Sequence, residues 1–262
     1  MKRNIHAKKI LVKIGTNTLT NNGNPDFNIL KRIVREIAGL KKKGKQVIMV
    51  TSGAIGTGMK ELNLKSKPND VVMQQVCAAI GQSILMSTYN DLFKKYGIRT
   101  AQILLTYDVF TNKEKYKNLK NSLSKLLNLG VIPILNENDP ISISEIGPSF
   151  GDNDNLSALV ATKAKMDLVI LLTNVDGLYD RNPNDKNAIL IKEVKIIDKR
   201  IEAASGTAAA LGLGGMKTKI EAAKTATKAG ITVIVANGKK ENVITNILNN
   251  KEEGTIFYPK KR

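Results

Sequence analysis

Two lysines from opposite ends of the chain, with a carboxylate between them in sequence, are the residues best suited to chemistry. Lys13 lies near the end of the apolar run Lys8 to Ile14, just before the turn Gly15-Thr16-Asn17. Lys219 follows a small-residue stretch, Gly212-Leu213-Gly214-Gly215-Met216-Lys217-Thr218-Lys219, that reads as a loop entering a helix. Between them, Gly151-Asp152-Asn153-Asp154-Asn155 opens the apolar run Leu156 to Ala161. Asp and Asn ahead of a helix can cap its unpaired amides, and the helix dipole favours negative charge there. Two Asp and two Asn in four positions exceed what one cap uses, so the stretch is also a site candidate. Mobile cations, a loop with free amides and a carboxylate point to phosphoryl transfer. In that reaction charge spreads over the transferring oxygens, and positioned cations do most of the work.

Further polar groups gather where apolar strands end. Val47 to Val50 runs into Thr51-Ser52-Gly53-Ala54-Ile55-Gly56, whose small residues let a ligand approach the backbone, though a tight turn would need them too. Val131 to Leu135 delivers Asn136-Glu137-Asn138-Asp139, and Leu168 to Leu172 delivers Thr173-Asn174. The spacing is neither G-x-x-x-x-G-K-[ST] nor G-x-G-x-x-G. The single histidine, His6, lies in a polar terminus, which leaves no histidine general base at these strand ends. An acceptor that is itself a carboxylate, with a pKa of about 4.3, needs none.

The elements that must position these groups alternate strand and helix, which predicts an α/β fold around a mainly parallel sheet. Helical spacing covers Phe27 to Lys43, Asp70 to Tyr96 and Thr111 to Leu129, and a helix follows Asn155. Ile98 to Leu105, Ile231 to Val235 and Gly254 to Phe257 read as further strands. Asp185 to Ile197 reads as a hairpin or irregular excursion, and Ser205 to Met216 as a glycine-rich loop. In open sheets of this kind ligands bind outside the carboxyl ends of the strands, where Lys13 stands.

With 262 residues the chain can bury a substantial core as one large domain or two modest lobes. One cysteine, Cys77, excludes an intrachain disulfide, and one cysteine with one histidine leaves no Cys/His metal site. No uninterrupted apolar run approaches the ~20 residues of a membrane span, and the basic start Met1 to His6 precedes no signal-peptide core. The net charge of +18 could mark a nucleic-acid binder, but the lysines are spread along helix faces with few interleaved aromatics. A solvated lysine-rich surface that attracts small anions accounts for it better.

Taken together, Val12-Lys13-Ile14-Gly15-Thr16, Val50-Thr51-Ser52-Gly53-Ala54-Ile55, Asn136-Glu137-Asn138-Asp139, Gly151 to Asn155 and Gly214 to Lys219 closely resemble the glutamate 5-kinases of the amino acid kinase family. The resemblance covers essentially the whole chain. It implies a three-layer αβα sandwich, with residues 1–165 as a glutamate-binding lobe and 166–262 as an ATP-binding lobe. It implies transfer of the ATP γ-phosphoryl to the side-chain carboxylate of L-glutamate, the first step of proline synthesis, with Mg²⁺ whose protein ligands stay open. Lys13 and Lys219 would then neutralise the transferring phosphoryl while Asp154 holds both ammonium groups. Ser52, Asp139 and Asn153 would bind glutamate. Lys13, Thr173, Asn174, Leu213, Gly214, Gly215, Met216, Lys217, Thr218 and Lys219 would contact the nucleotide. The acidic 136–139 cluster suits a free α-ammonium, which an N-acetylated substrate lacks.

The single cysteine points to a reducing cytoplasm, and a homo-oligomer, dimer or tetramer, is expected; the resemblance further implies proline as feedback inhibitor acting through Ile141 to Phe150. No membrane or nucleic-acid partner is expected. The chain departs from the family pattern at Asn174, where Asp is common, and at Leu213, where a small polar residue is common. It also stops before the C-terminal PUA-like module that many relatives carry, and is expected to be a short form. Thr173 to Gly177 is similar to uridylate kinases as well, so a sibling kinase of the same family is the alternative reading.

Overall fold

In the computed structural model, which describes residues 3–21, 24–141, 153–209 and 215–260, strands and helices alternate along most of the chain. The first half contains β1 (Lys9–Ile14), a 3-10 turn (Thr16–Thr18), β2 (Thr20–Asn21), β3 (Asn24–Pro25), α1 (Phe27–Lys42) and β4 (Gln46–Val50). It continues through α2 (Ala54–Glu61), α3 (Val71–Lys94), β5 (Thr100–Leu105), α4 (Asp108–Thr111), α5 (Lys113–Asn128) and β6 (Ile132–Glu137). The second half holds α6 (Asn153–Ala164), β7 (Leu168–Thr173), β8 (Glu193–Val194), α7 (Lys199–Ala209), α8 (Gly215–Lys228), β9 (Thr232–Asn237), α9 (Val243–Leu248) and β10 (Thr255–Phe257).

Eight strands form one sheet in the order β5-β6-β4-β1-β7-β9-β10-β8. Neighbours are parallel except β9 and β10, which run antiparallel. The chain builds outward from β1 through β4 to β6 and β5, then returns to lay β7 on the other side of β1. That reversal is a topological switch point, and it opens a crevice beyond the carboxyl ends of β1 and β7.

Side chains alternate across the sheet, so each strand feeds two cores. Ile10, Val12 and Ile14 pack with α1, α3 and α9 on one face. Leu11 packs with α5, α6 and α8 on the other. The expected three-layer αβα sandwich is therefore present. Period two also puts Lys13 on the face of Leu11, toward α6 and α8.

Caps explain several helix starts. Asp26, Asp70 and Asn112 each accept from backbone amides one turn ahead, which sets the starts of α1, α3 and α5. The helix expected over Thr111 to Leu129 is α5, which starts after its cap Asn112, and the short α4 precedes it. Gly53 caps α2 at φ 98°, a left-handed conformation that a side chain would strain. At the crossing of α2 and α3, a Cβ on Gly58 would stand 1.9 Å from the Cys77 carbonyl oxygen, and one on Gly81 the same distance from that of Ala54. These two glycines therefore serve helix packing rather than a ligand.

Four other expectations change. The strand ending at Leu135 runs on through Asn136 and Glu137, which places both on the sheet's rim. Ser205 to Ala209, expected in a loop, continues the backbone of α7. The excursion before Ile197 contributes the short edge strand β8, and Tyr179 bridges Leu190 ahead of it. The polar-looking N-terminus hides Arg3, only 3% exposed, whose guanidinium donates to the carbonyls of Glu253, Lys192 and Gly254. Among the described residues α3 is the one helix that length and composition would allow to cross a membrane. Gln74, Gln75, Gln82 and Asn90 interrupt its apolar character, and Cys77, Leu85, Tyr89 and Phe93 are packed in the protein core.

Candidate active site

The three residues singled out for chemistry meet at the switch point. Lys13 leaves the end of β1, Asp154 occupies the first turn of α6, and Lys219 the second turn of α8. Lys13 Nζ lies 2.7 Å from Asp154 Oδ1, and Lys219 Nζ lies 2.9 Å from Asp154 Oδ2. Thr218 Oγ1 donates to the same Oδ2 at 2.9 Å, and Lys219 Nζ also donates to the Gly215 carbonyl at 2.9 Å. The side chains are nearly dry: 3% exposed for Lys13, 8% for Lys219 and 0% for Asp154.

Burial by itself would push the Asp154 carboxyl upward, because removing water penalises the charged form. The charges of Lys13 and Lys219, and their hydrogen bonds, more than reverse that and bring it down to about 2. Asp154 is therefore held in its ionised form between the two lysines. Two ammonium groups against one carboxylate leave a net positive, water-poor spot, which is what a developing phosphoryl charge requires.

Two cavities meet at this spot. The larger, about 530 Å³, is lined by Lys13, Ser52, Asp139, Asn153 and Lys219, together with the first residues of α2. The smaller, about 90 Å³, is lined by Thr173, Asn174, Tyr179, Arg181, Met216 and Lys219. Asn17, Thr173, Gly215 and Lys219 border both.

On the wall of the larger cavity, Asn153 Nδ2 donates to Ser52 Oγ at 2.9 Å, to the Thr51 carbonyl at 3.0 Å and to Asn136 Oδ1 at 2.9 Å. Thr51 itself shares a 2.8 Å hydrogen bond with the buried Tyr89 hydroxyl, which burial keeps protonated. Asp139 lies partly buried beside Glu137. Loss of water first, and then the neighbouring Glu137 charge, push its carboxyl up to about 6, with Lys67 acting in the opposite direction.

Every sequence-singled residue within the described part thus reaches the site or its rim, except Lys217, which is exposed and lines neither cavity. Asp152, Leu213, Gly214 and all of Ile141 to Phe150 except Ile141 lie outside the described residues. Several lining residues escaped the sequence reading. Tyr179 and Arg181 follow the Asp176-Gly177 turn after β7, where no periodic pattern marks them. Lys67, in the loop Ser66-Lys67-Pro68, carries no pattern that sets it apart from forty other basic residues. Among the described residues no group of three or more His, Cys, Asp or Glu could hold a metal ion.

Comparison with known proteins narrows what this arrangement serves. A family model described as the amino acid kinase family matches residues 8–237. The chain is 46% identical over 260 residues to a glutamate 5-kinase of Clostridium acetobutylicum, covering 98% of this chain and 97% of that one. It is 45% identical over 254 residues to a glutamate 5-kinase of Methanococcoides burtonii, covering 96% of this chain and 68% of the relative. Among solved structures, a UMP kinase from Bacillus anthracis superposes with a TM-score of 0.65 at 15% identity, covering 97% of each chain. Carbamate kinase from Giardia lamblia superposes with a TM-score of 0.64 at 16% identity, covering 96% of this chain and 98% of that one. Identities this low carry the fold alone.

Proposed function

The chain belongs to the amino acid kinase family, and from that premise we propose that it transfers the γ-phosphoryl of ATP to the side-chain carboxylate of L-glutamate. The product is L-glutamyl 5-phosphate, the first intermediate of proline synthesis. One observation carries the reading: a buried carboxylate holds two lysines where two cavities meet, and its relatives of 45–46% identity are glutamate 5-kinases.

A glutamate carboxylate oxygen forms a bond to the γ-phosphorus as the bond from that phosphorus to the β,γ-bridging oxygen breaks, and ADP leaves. The acceptor is already ionised, so no base has to remove a proton. Lys13 and Lys219 face the equatorial and leaving oxygens, where charge grows in a loose in-line transition state. Asp154 fixes both cations beforehand, so little reorganisation is left for the reaction itself.

Glutamate occupies the larger cavity, in the lobe formed by residues 1–165. Its α-ammonium sits against Asp139 and Asn153, with Ser52 beside them. The amino end of α2, Gly53 to Gly56, supplies amides for a carboxylate. ATP occupies the smaller cavity and its opening, in the lobe formed by residues 166–262, against Thr173, Asn174 and the start of α8. Magnesium arrives as part of the nucleotide substrate. There it would supply charge neutralisation on the phosphate oxygens, while Asp154, the central carboxylate of this chain, is engaged by Lys13 and Lys219.

A coupled assay with ATP, Mg²⁺ and glutamate tests the reading. Glutamate-dependent ADP release, absent with N-acetylglutamate or UMP, is the expected result; release with either of those and none with glutamate overturns it. The same reading places the protein in the cytoplasm as a dimer or tetramer, and makes proline a competitor of glutamate. Light scattering and inhibition kinetics check these points.

A further inference from the structure

We infer that Gln82 is a positioning residue for the glutamate pocket, acting through a buried chain of side-chain amides that ends at Asn153. The inference rests on the functional reading just given. The chain begins at α3 and crosses to the carboxyl end of β6. Asn136 Nδ2 donates to Gln82 Oε1 at 2.9 Å, and Asn136 Oδ1 accepts from Asn153 Nδ2 at 2.9 Å. Gln82 is 6% exposed and Asn136 2% exposed, so water has little access to either.

The direction of this chain is fixed by backbone groups that can play only one part. The Glu137 amide donates to Asn136 Oδ1 at 3.0 Å, so that atom must be the oxygen. The Thr51 carbonyl accepts from Asn153 Nδ2 at 3.0 Å, so that atom must be the nitrogen. Asn153 consequently keeps its amino group turned toward the protein and uses its oxygen elsewhere. That Oδ1 is buried and has no hydrogen-bond partner among the described residues. Asn153 lines the larger cavity, and an acceptor left without a described protein partner there matches an ammonium donor, the group that separates glutamate from a plain dicarboxylate.

Gln82 matters because it is the anchor for the remaining end of Asn136. Without Oε1, the Asn136 amino group would be left unpaired in a dry site, and a buried donor in that position rotates toward any acceptor it can find. Rotation draws Asn136 Oδ1 off Asn153 and frees Asn153 to turn. Two further observations fit an anchoring duty. Gln82 Nε2 has no partner among the described residues, so only the accepting end of the side chain is used. And Gly81, whose Cβ would collide with the Ala54 carbonyl, lets α3 lie tightly on α2 and gives its neighbour a fixed station.

The test compares Gln82→Met, near the same size but without the acceptor, with Gln82→Glu, which retains an accepting oxygen. For Gln82→Met the glutamate KM is expected to rise about tenfold, the loss of one hydrogen bond to a charged group. The ATP KM should stay within about twofold. The inhibition constant of glutarate, which lacks the ammonium, should stay unchanged or beyond measurement in both proteins. Gln82→Glu should hold glutamate within about threefold of the unsubstituted protein. An unchanged glutamate KM in Gln82→Met, or glutamate, glutarate and ATP weakening in step, overturns the positioning role. If Gln82→Met does not fold, Gln82→Glu decides alone: retained glutamate affinity supports the role, and a tenfold loss overturns it. Absence of any glutamate-dependent ADP release in the unsubstituted protein would instead overturn the functional reading itself.

Discussion

Asp154 and Asp139 border the same reaction space, yet their carboxyls stand about four pH units apart, near 2 and near 6. Burial pushes both upward, and more strongly for Asp154, which has no exposure at all. What separates them is company. Asp154 sits between two ammonium groups within 3 Å, whereas Asp139 has Glu137 beside it and only the more distant influence of Lys67. In the proposed reaction the first, held ionised by two lysines, would organise cations for phosphoryl transfer. The second, raised to about 6, would gain full charge as a cationic ligand group arrives. Environment, rather than residue type, assigns the two their different work.

The comparison breaks most visibly at Asp154. Replacing it with Asn strands two buried cations without a counter-charge, which costs about 3–5 kcal/mol of stability. Asp154→Asn is therefore expected to lose ~10³-fold or more in kcat and several degrees in Tm, read by the coupled assay and calorimetry. Lys219→Ala removes one cation but leaves Lys13 on the carboxylate. A fall in kcat of about 10²–10³-fold, with ATP KM changed far less, is expected if the cation acts mainly in the transition state. Equal losses in kcat and nucleotide binding would remove that role.

Asp139→Asn should act on glutamate alone, raising its KM about tenfold while kcat holds. It should also remove the acidic limb near pH 6 from the pH profile of kcat/KM for glutamate. The stability linkage has the opposite sign from the usual carboxylate. The folded-state pKa of Asp139 is raised, from 3.8 to about 6, so the protonated form is favoured by folding. Its contribution is fully present below about pH 4 and is lost as pH rises through 6. Asp139→Asn should therefore gain stability relative to the unsubstituted protein between pH 4 and 7, by a few degrees in Tm. Asp154, with its lowered pKa, contributes above about pH 4 and loses that contribution only as pH falls toward 2. The smallest effect is expected from Lys67→Met. Removing the one cation that lowers Asp139 should move the acidic limb upward by a few tenths of a pH unit; a downward shift would contradict the assignment.

Much of this site was legible in the sequence because its parts stand at strand ends and helix starts, which local pattern marks well. Lys13 follows a short continuous apolar run, Ser52 a second, and Asp154 belongs to an over-supplied cap. Tyr179, Arg181 and Lys67 were not legible, because an isolated side chain after a turn or in a loop carries no period. Arg3 carries no sign of its place in the basic start of the chain, yet it is bound to carbonyls of two segments, at Lys192 and at Glu253-Gly254, some 190 to 250 residues away. Ser205 to Ala209 reads as loop because Ser, Gly and Thr are weak helix formers, while Ile201 and Ala204 nearby pack α7 onto the core.

By itself the sequence determined the alternation of strands and helices, the placing of Lys13 at a strand end and the stock of charges available for chemistry. Those are local properties, set by side-chain period and by caps within one turn. The return of β7 to the side of β1 opposite β4, the closure of Lys13 and Lys219 on one carboxylate, and the reach of Gln82 to Asn136 were decided only by the tertiary structure. Each joins groups tens to hundreds of residues apart, and an ion pair or a buried amide chain takes its strength from distance and dryness that no stretch of sequence carries alone.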